Sequence, residues 1–382
     1  MIEILDKKSC TGCEACVQVC SRQCIEFMLD TEGFFYPKVN KNLCIDCGLC
    51  DAVCPVINQM QLPTDFKVFG AKNRNSQIVK DSSSGGIFTL LSEKIFEQKG
   101  VVFGAKFDEN WQVVHTKIDK IEDINRLQGA KYVQSRIGTT FQEVREELKN
   151  GKSVLFSGTP CQTAGLRLFL RKEYENLILV DFICHGTPSL SIWESYLSEI
   201  TDKYSITRVD NIKFRDKRKG WKNYHFSISG VDENNKKIDL HRYFKDVSYM
   251  QGFLSNLYLR PSCYDCPAKG GRSGSDITIA DFWGLKKILP TFNDNKGVSL
   301  VVLNSSKGVD FFESIPKTQL EKRLTTTKAI QQTFYNSALE NKNREIFFKE
   351  YSENKSGLIA LIYIYSKRSR YKKIKNLILG EF

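Results

Sequence analysis

The N-terminal part of the chain contains two cysteine-rich stretches, CTGCEACVQVCSRQC at residues 10–24 and CIDCGLCDAVCP at residues 44–55. The first holds five cysteines in fifteen positions, and the second holds four in twelve. The N-terminus MIEILDKKSC has neither the basic start nor the apolar stretch of a secretory signal, so we expect a cytoplasmic chain. Cysteines in the cytoplasm stay reduced, and their clustering therefore indicates metal ligation or redox chemistry rather than a disulfide framework.

The spacing of these cysteines predicts two 4Fe-4S clusters. Both stretches follow the pattern C-x2-C-x2-C-x3-C of bacterial ferredoxins, in which the first three cysteines hold one cubane cluster and the fourth ligates the other. Cluster one would use Cys10, Cys13, Cys16 and Cys54, and cluster two would use Cys44, Cys47, Cys50 and Cys20. Tetrahedral zinc is the alternative for such cysteine pairs, and two complete runs with this spacing argue against it.

Two positions depart from the ferredoxin pattern. Ser21 replaces the proline that usually follows the fourth cysteine, and Cys24 is an additional cysteine. Cys24 is either a buried apolar residue or an alternative ligand. Gly12 and Gly48 suit the cluster loops, because glycine lets backbone amides approach the inorganic sulfide closely.

The pattern along the chain predicts three segments. Residues 1–62 form a small domain with a hairpin turn at 30–33, and Pro63 lies at its boundary. Residues 63–320 alternate apolar strands with amphipathic helices, which predicts an α/β domain with a largely parallel sheet and a β-rich part after about 205. Residues 321–382 are basic and predict mainly helix. The fold class is therefore α+β, a small two-cluster ferredoxin-like domain fused to a mixed α/β domain with a helical C-terminal tail.

Charge is distributed unevenly along the chain. The formal net charge is +12, yet residues 1–60 carry five Lys or Arg against eight Asp or Glu. The positive charge lies in KFRDKRKGWK at 213–222 and in the residues 355–382. Basic patches suggest nucleic acid as a partner, but iron–sulfur clusters with thiolate ligands are anionic and would offset much of the excess. We therefore expect no nucleic-acid partner.

A set of ordered motifs downstream of the cysteine runs is more specific. The motifs are SSSGG at 82–86, GAKYVQS at 129–135, FSGTPCQ at 156–162, DFICHGTPS at 181–189, CYDCP at 263–267 and SDITIADFWG at 275–284. With them, the chain resembles the beta subunit family of coenzyme F420 hydrogenases and dehydrogenases, in the bacterial form with a fused two-cluster ferredoxin domain, over roughly residues 1–310. The resemblance implies a flavoprotein that binds FAD in the domain at 63–320 and acts on its substrate by hydride transfer.

The resemblance favours SSSGG as the site for the flavin diphosphate, at Ser83, Ser84, Gly85 and Gly86. Hydroxyls and glycines at the start of a helix put free backbone amides and the positive end of the helix against an anion. The alternative is a plain helix cap, with Ser83 or Ser84 as the capping residue.

Several polar residues in the other motifs are candidates for the reacting centre. Lys131 could lie near the flavin ring and stabilise its reduced anion, or it could be a surface lysine. His185 could donate a proton or form a structural hydrogen bond. Asp281, at a predicted strand end, is a further candidate. Polar contacts to the flavin are expected from Gln134, Ser135 and Thr159.

Four further cysteines form a complete ligand set. Cys161 and Cys184 each follow an apolar strand, so parallel neighbouring strands would present both thiols at one sheet edge. Cys263 and Cys266 have the two-residue spacing that suits one face of a cubane cluster. The resemblance implies a third 4Fe-4S cluster near the flavin at these positions, with a zinc site or unligated thiols as alternatives.

Substrate and partner do not follow from single residues. We expect an electron donor or acceptor protein or coenzyme and a small-molecule substrate. The resemblance implies a deazaflavin coenzyme in some members and surface polysaccharide biosynthesis for the fused bacterial kind. A function of another class is a non-catalytic ferredoxin-like electron carrier that docks a partner enzyme, which the acidic N-terminal domain would suit.

The C-terminus GLIALIYIYSKRSRYKKIKNLILG at 357–380 allows two interpretations. Eight apolar residues at 358–365 precede a basic segment, too short to span a bilayer but suited to weak contact with an anionic membrane surface through 356–382. The location would then be cytoplasmic and peripheral at the inner membrane face. The alternative is a final helix packed on the domain with a solvated basic face.

Overall fold

The two cysteine runs flank an antiparallel hairpin in the N-terminal domain. Strands β1 (Ile25–Leu29) and β2 (Phe35–Val39) pair with Met28 opposite Tyr36, so the predicted hairpin is present. Two short helices, α1 (Ala15–Val19) and α2 (Leu49–Ala52), each begin inside a cysteine run. The structure is a computed structural model, and it describes residues 1–63, 65–353 and 357–366.

An eight-stranded mixed sheet forms the centre of the second domain. Its strands, in chain order, are β3 (Lys67–Asn73), β4 (Val101–Phe107), β5 (Val113–Ile118), β6 (Val154–Ser157), β7 (Leu177–Phe182), β11 (Ile277–Asp281), β12 (Ser299–Leu303) and β13 (Leu320–Thr325). The spatial order is β13-β3-β12-β11-β7-β6-β4-β5. A smaller antiparallel sheet contains β8 (Arg208–Asp216), β9 (His225–Val231) and β10 (Lys237–Tyr243).

The expectation of a largely parallel sheet is correct only for the middle of the large sheet. The pairs β11–β7, β7–β6 and β6–β4 are parallel, and the four outer pairs are antiparallel. Strand β5 is antiparallel to β4 because a short turn joins them, in which Asp108 accepts hydrogen bonds from the amides of Asn110 and Gln112. The carboxyl ends of β3, β4, β6, β7 and β11 nevertheless lie at one edge of the sheet.

Helices cover both faces of this sheet and pack against the smaller one. They are α3 (Ser76–Asp81), α4 (Ile87–Glu97), α5 (Thr140–Lys149), α6 (Pro160–Leu170), α7 (Leu190–Lys203), α8 (Ser248–Leu254), α9 (Leu285–Ile288), α10 (Ser306–Glu313), α11 (Gln332–Tyr335), α12 (Arg344–Glu353) and α13 (Leu358–Tyr365). The largest core cluster joins α7, α8, α12 and α13 to the smaller sheet through buried aromatic rings such as Trp193, Tyr196 and Tyr249.

The C-terminal part contains one strand among the expected helices. Residues 320–325 form β13, which pairs with β3 so that Leu320 lies opposite Asn73. Its sequence LEKRLT is polar because β13 is an edge strand. The hydrophobic pattern of the sequence therefore does not predict this strand. The predicted combination of a small N-terminal domain, a mixed α/β domain and C-terminal helices is confirmed.

The apolar residues of the C-terminal stretch pack into the core. Leu358, Ile359, Ile362 and Tyr363 of α13 are buried against α7 and α8. Residues 354–356 and 367–382, which include most of the basic segment predicted to contact a membrane, lie outside the described residues. Within the part of the chain that the structure describes, no helix is both long enough and apolar enough to cross a membrane.

Candidate redox site

The first cavity of the N-terminal domain, here cavity one, has a volume of about 320 Å³, including space open to solvent. Four cysteines from both runs line it: Cys10, Cys13, Cys16 and Cys54. Apolar side chains such as Ile2 and Phe27 complete its wall. Burial raises the pKa of the Cys13 thiol to about 12 and also raises that of Cys16 and Cys54. Such thiols ionise only when a cation, as in an iron cluster, compensates the thiolate charge.

The second cavity, here cavity two, has a volume of about 370 Å³, including space open to solvent. Five cysteines line it: Cys20, Cys24, Cys44, Cys47 and Cys50. Cys24 is 4% exposed, and its Sγ lies 3.3 Å from Sγ of Cys20. Cys47 is exposed and its neighbour Ile45 is 62% exposed, so cavity two is nearer to solvent than cavity one.

The third cysteine set, defined as Cys161, Cys184, Cys263 and Cys266, lies at the carboxyl edge of the large sheet. Cys161 is in the first turn of α6, directly after β6, and Cys184 follows β7. Sγ of Cys263 accepts a hydrogen bond from the Thr187 amide at 3.3 Å. Burial raises the pKa of each of Cys161 and Cys266 to about 12, and the neighbouring thiols of the set raise it further.

None of these thiols is arranged for a single ion. Among the described residues, no group of three or more His, Cys, Asp or Glu side chains could hold one metal ion. The cysteines of cavity one instead line one shared hollow, and those of cavity two line another. Thiolates around a space of this kind fit a multi-iron cluster, because a cubane core holds its ligands apart.

Helix α6 connects cavity one to the third cysteine set. A Cβ built at Gly165 would lie only 3.0 Å from Sγ of Cys13, so the helix backbone packs directly on this thiol. Cys161 and Gly165 are four residues apart and therefore share one face of α6, about 6 Å apart along its axis. The two groups of cysteines are consequently separated by roughly one helical turn.

Buried polar contacts fix the N-terminal domain to the second domain. Glu14 is 3% exposed and accepts hydrogen bonds from the Arg136 side chain and the Ile137 amide, both at 2.9 Å, and from the Gly138 amide at 3.2 Å. Gln18 accepts from the amide of Phe141, at the start of α5, at 2.9 Å. These contacts hold α1 against α5 and thereby set the position of cavity one.

The SSSGG loop lies at the same sheet edge. The Ser83 hydroxyl accepts from the Ala130 amide at 2.7 Å, Ser84 donates to the Val298 carbonyl at 3.0 Å, and the Gly85 amide donates to the Ser299 hydroxyl at 3.0 Å. The interpretation of Ser83 or Ser84 as the helix cap is wrong. Helix α4 begins after Gly86, which has a φ of +76° and leaves the first amides without a side-chain cap.

Two cationic side chains, Arg215 and Lys217, donate hydrogen bonds to backbone carbonyls of the SSSGG loop. Arg215 donates to the Ser83 carbonyl at 3.2 Å and pairs with Asp281 at 2.7 Å, while the Trp221 indole donates to the same carboxylate at 2.6 Å. Lys217 donates to the Ser84 carbonyl at 3.0 Å, and burial lowers its pKa to about 8. Asp281 is thus placed in an ion pair beside the loop, and part of the basic stretch 213–222 is engaged internally.

Lys131 lies on the segment that contacts Ser83. Its Nζ donates to the carbonyls of Leu127, Gln128 and Gly129 at 3.0 to 3.3 Å, and burial lowers its pKa to about 7. His115 is near enough for the charge of Lys131 to act on it, and burial lowers its pKa to about 4. Its Nε2 lies 3.0 Å from the Ser157 carbonyl, while its Nδ1 has no partner among the described residues.

The remaining predicted site residues lie close to the cysteines rather than to the SSSGG loop. Gln134 Nε2 lies 3.5 Å from the Thr11 and Gly12 carbonyls, at cavity one. Ser135 accepts from Gln162 at 2.9 Å, and Thr159 caps α6 with its hydroxyl 3.2 Å from Sγ of Cys161. His185 Nε2 is 2.7 Å from the Asn256 side-chain oxygen, and burial lowers the pKa of its ring.

Sequence reasoning missed Glu14, His115, Arg215 and Arg260. Each makes its contacts with residues far away in the chain, so no local spacing reveals them. Glu14 lies inside the first cysteine run, whose spacing points only to the cysteines. For Arg215 the basic stretch 213–222 was a signal, although it indicated a surface patch rather than a buried ion pair. For Arg260 the signal was its place three residues before Cys263.

Two protein-family models match the chain. The model for the C terminus of the coenzyme F420 hydrogenase/dehydrogenase beta subunit matches residues 151–330, and the 4Fe-4S dicluster domain model matches residues 9–58.

Similar proteins cover different parts of the chain. The F subunit of the F(420)H(2) dehydrogenase of Methanosarcina mazei is 24% identical over 226 residues, which are 56% of this chain and 62% of that protein. Coenzyme F420-dependent sulfite reductase of Methanocaldococcus jannaschii is 28% identical over 55% of this chain and 33% of its own length. The chain therefore spans less than two thirds of either relative. Ferredoxin 7Fe of Hydrogenibacillus schlegelii is 38% identical over 64 residues, 16% of this chain and 76% of the ferredoxin.

A chain of the F420-reducing NiFe hydrogenase complex from Methanosarcina barkeri aligns with a TM-score of 0.45 and 15% identity, over 82% of this chain and 98% of the other.

Proposed function

Because the chain belongs to the coenzyme F420 hydrogenase/dehydrogenase beta subunit family and carries an N-terminal 4Fe-4S dicluster domain, we propose that it is an iron–sulfur flavoprotein oxidoreductase. It relays electrons between 4Fe-4S clusters and FAD to reduce or oxidise a small-molecule substrate or coenzyme. The observation that carries the proposal is the packing of Cys13 on Gly165, one helical turn from Cys161. This contact joins the N-terminal cysteines to the third cysteine set and the sheet edge.

Each group of residues has a role in this proposal. When bound, the clusters supply one-electron transfer and FAD couples it to two-electron chemistry on a substrate. Cavities one and two hold the first two clusters, and the third cysteine set holds another. The uncapped amides at the start of α4 would receive the flavin diphosphate, while Arg215 and Lys217 hold the SSSGG loop in place through its backbone carbonyls.

Lys131 is the residue best suited to hold a proton or a positive charge near the flavin. Its pKa near 7 lets it exist in either protonation state at neutral pH, and its three carbonyl partners fix its position. His185 is bonded to Asn256, which favours the structural role for this residue over proton donation.

The proposed point of exchange with an electron partner is cavity two. Cys47 and Ile45 are exposed there, and an exposed cluster site allows close approach of a second redox centre. The partner is an electron-transfer protein or a coenzyme. A precursor of surface polysaccharides as substrate is part of the proposal and rests on the resemblance alone.

Cofactor analysis of anaerobically purified protein tests the proposal. We expect about twelve irons, about twelve sulfides and one FAD per chain, falling to about eight irons in a Cys263→Ser, Cys266→Ser variant. A Cys24→Ser variant is the matched control and should keep all twelve, because Cys20 completes the ligand set of cavity two. Eight irons in the unmodified, fully reconstituted protein would exclude the third cluster. Clusters without flavin would favour the alternative function, an electron carrier that docks a partner enzyme.

A further inference from the structure

A fully buried arginine lies between cavity one and the third cysteine set. Arg260 has no exposed surface, and its backbone amide donates to the Thr187 carbonyl at 2.8 Å. It directly precedes the short helical turn Pro261–Asp265, which contains Cys263. Its position is therefore fixed by the same segment that supplies half of the third cysteine set.

The guanidinium of Arg260 reaches back to the first cysteine run. Its Nε donates to the Cys10 carbonyl at 2.7 Å, and its Nη2 donates to Sγ of Cys10 at 3.4 Å and to the Phe35 carbonyl at 2.8 Å. The Tyr36 ring covers it at 4.4 Å. Arg260 thus bonds directly to a thiol that lines cavity one.

The charge of Arg260 has no carboxylate to balance it. Arg215 and Arg344, which are also buried, pair with Asp281 and Glu32. Among the described residues no Asp or Glu forms such a pair with Arg260, and its acceptors are carbonyls, an amide oxygen and a thiol. A buried cation is costly unless an anion compensates it, and thiolates with a bound cluster would provide that anion.

The cysteine loop of cavity one leaves space for the Arg260 side chain. A Cβ at Gly12 would lie 2.8 Å from Nη1 of Arg260, and Gly12 has a φ of +72°. Asp46 holds the same position in the second cysteine run; it is exposed, and its carboxylate lies 3.2 Å from the Met1 ammonium. The loop of cavity one therefore packs against a buried cation that has no carboxylate partner in the described part of the chain, whereas the Met1 ammonium beside cavity two is paired with Asp46 and Asp51.

We infer that Arg260 is a positioning residue that serves as the counter-ion of cluster one and holds its reduction potential above that of cluster two. A positive charge and an N–H bond to a cluster thiolate both stabilise the reduced state, which is the more negative one. Electrons that enter at the exposed cavity two would then move preferentially inward. The inference rests on the proposed ligation of a cluster by Cys10.

Potentiometric titration of the intact, cluster-loaded protein tests this inference. Dithionite supplies one electron to each cluster, redox mediators set the potential, and EPR spectroscopy follows the reduced signals. In Arg260→Gln we expect the midpoint potential of one N-terminal cluster to fall while that of the other stays. Arg260→Lys, which keeps the charge, should show a smaller fall. The matched control is Lys38→Gln, which removes an exposed charge from β2 and should shift neither potential.

Iron and sulfide contents separate the possible outcomes. An Arg260→Gln protein with full iron and unchanged potentials would overturn the inference and leave the proposed function intact. Absence of clusters from the unmodified protein would instead overturn the proposed function. If Arg260→Gln does not fold, the unmodified protein labelled with ¹⁵N-arginine provides the test by pulsed EPR. An arginine nitrogen coupled to one reduced cluster supports the inference, and no arginine coupling to either cluster overturns it.

Discussion

At the scale of the residue, the site depends on buried groups whose ionisation is shifted by their surroundings. Lys131 is held by three backbone carbonyls with no carboxylate among the partners found for it. Burial lowers its pKa from 10.5 to about 7, so the folded protein releases this proton more readily than the unfolded chain does. Below pH 7 the folded state therefore has to keep a partly buried ammonium charged, at a cost in stability.

The pH dependence of stability should reveal this cost. The unfolded chain binds more protons at Lys131 than the folded chain between about pH 7 and 10, so this residue makes stability rise with pH in that range. We expect Lys131→Met to be more stable than the unmodified protein at pH 6, on the order of 2 kcal/mol, and the difference to shrink towards pH 10. Thermal unfolding followed by circular dichroism at pH 6, 8 and 9.5 measures it. A difference independent of pH would contradict the partly buried, shifted ammonium.

Single residues also show how much of the site can be predicted from the sequence alone. The cysteine positions follow from spacing, because a cubane cluster requires its ligands at short, fixed intervals in the chain. Arg260 and Cys10 are 250 positions apart, and Glu14 and Arg136 are 122 apart, so no local pattern links them. Such contacts arise only after the domains pack, and only the folded chain reveals them.

At the scale of the element, the contact of α1 with α5 fixes the geometry between the N-terminal domain and the sheet. Glu14 precedes α1, and its carboxylate receives two backbone amides and an arginine from the segment before α5. Its removal would leave Arg136 without its carboxylate, and the buried amide of Ile137 and the amide of Gly138 without an acceptor. Removing one partner of a buried ion pair strongly destabilises the fold, because the other partner is left without compensation.

We expect Glu14→Ala to lower the free energy of unfolding by about 2 to 4 kcal/mol. Denaturant unfolding of the anaerobic protein, followed by tryptophan fluorescence, measures the change. The control is Glu146→Ala on α5, where an exposed carboxylate 3.2 Å from Lys149 should contribute less than about 1 kcal/mol. Equal effects of the two substitutions would show that Glu14 does not anchor the domain.

Elements differ in how well their sequences predict them. The central strands β6 and β7 are continuous apolar runs between helices, so their parallel pairing follows from pattern and connection length. Strand β13 escapes prediction because an edge strand buries little, and Leu320 is its one fully buried residue. The antiparallel flank formed by β12, β3 and β13 depends on which strands become neighbours, and local periodicity carries no information about that.

At the scale of the whole molecule, the chain joins a solvent-exposed cysteine cavity to an internal sheet edge. Cavity two is open at Cys47, cavity one contacts α6 at Gly165, and Cys161 begins the same helix. Fixed polar contacts hold this arrangement, so electron transfer would need no movement of the N-terminal domain. This continuity distinguishes the proposed oxidoreductase from a carrier that ends at its own two clusters.

An anaerobic reductive titration of the unmodified protein distinguishes the proposed oxidoreductase from a two-cluster carrier. Absorbance is followed while dithionite is added, and electron equivalents per chain are counted. Three one-electron clusters and one two-electron flavin predict about five equivalents, with the flavin band bleaching in the same titration as the clusters. Uptake of about two equivalents, with no flavin band, would contradict the proposed oxidoreductase and show a two-cluster electron carrier.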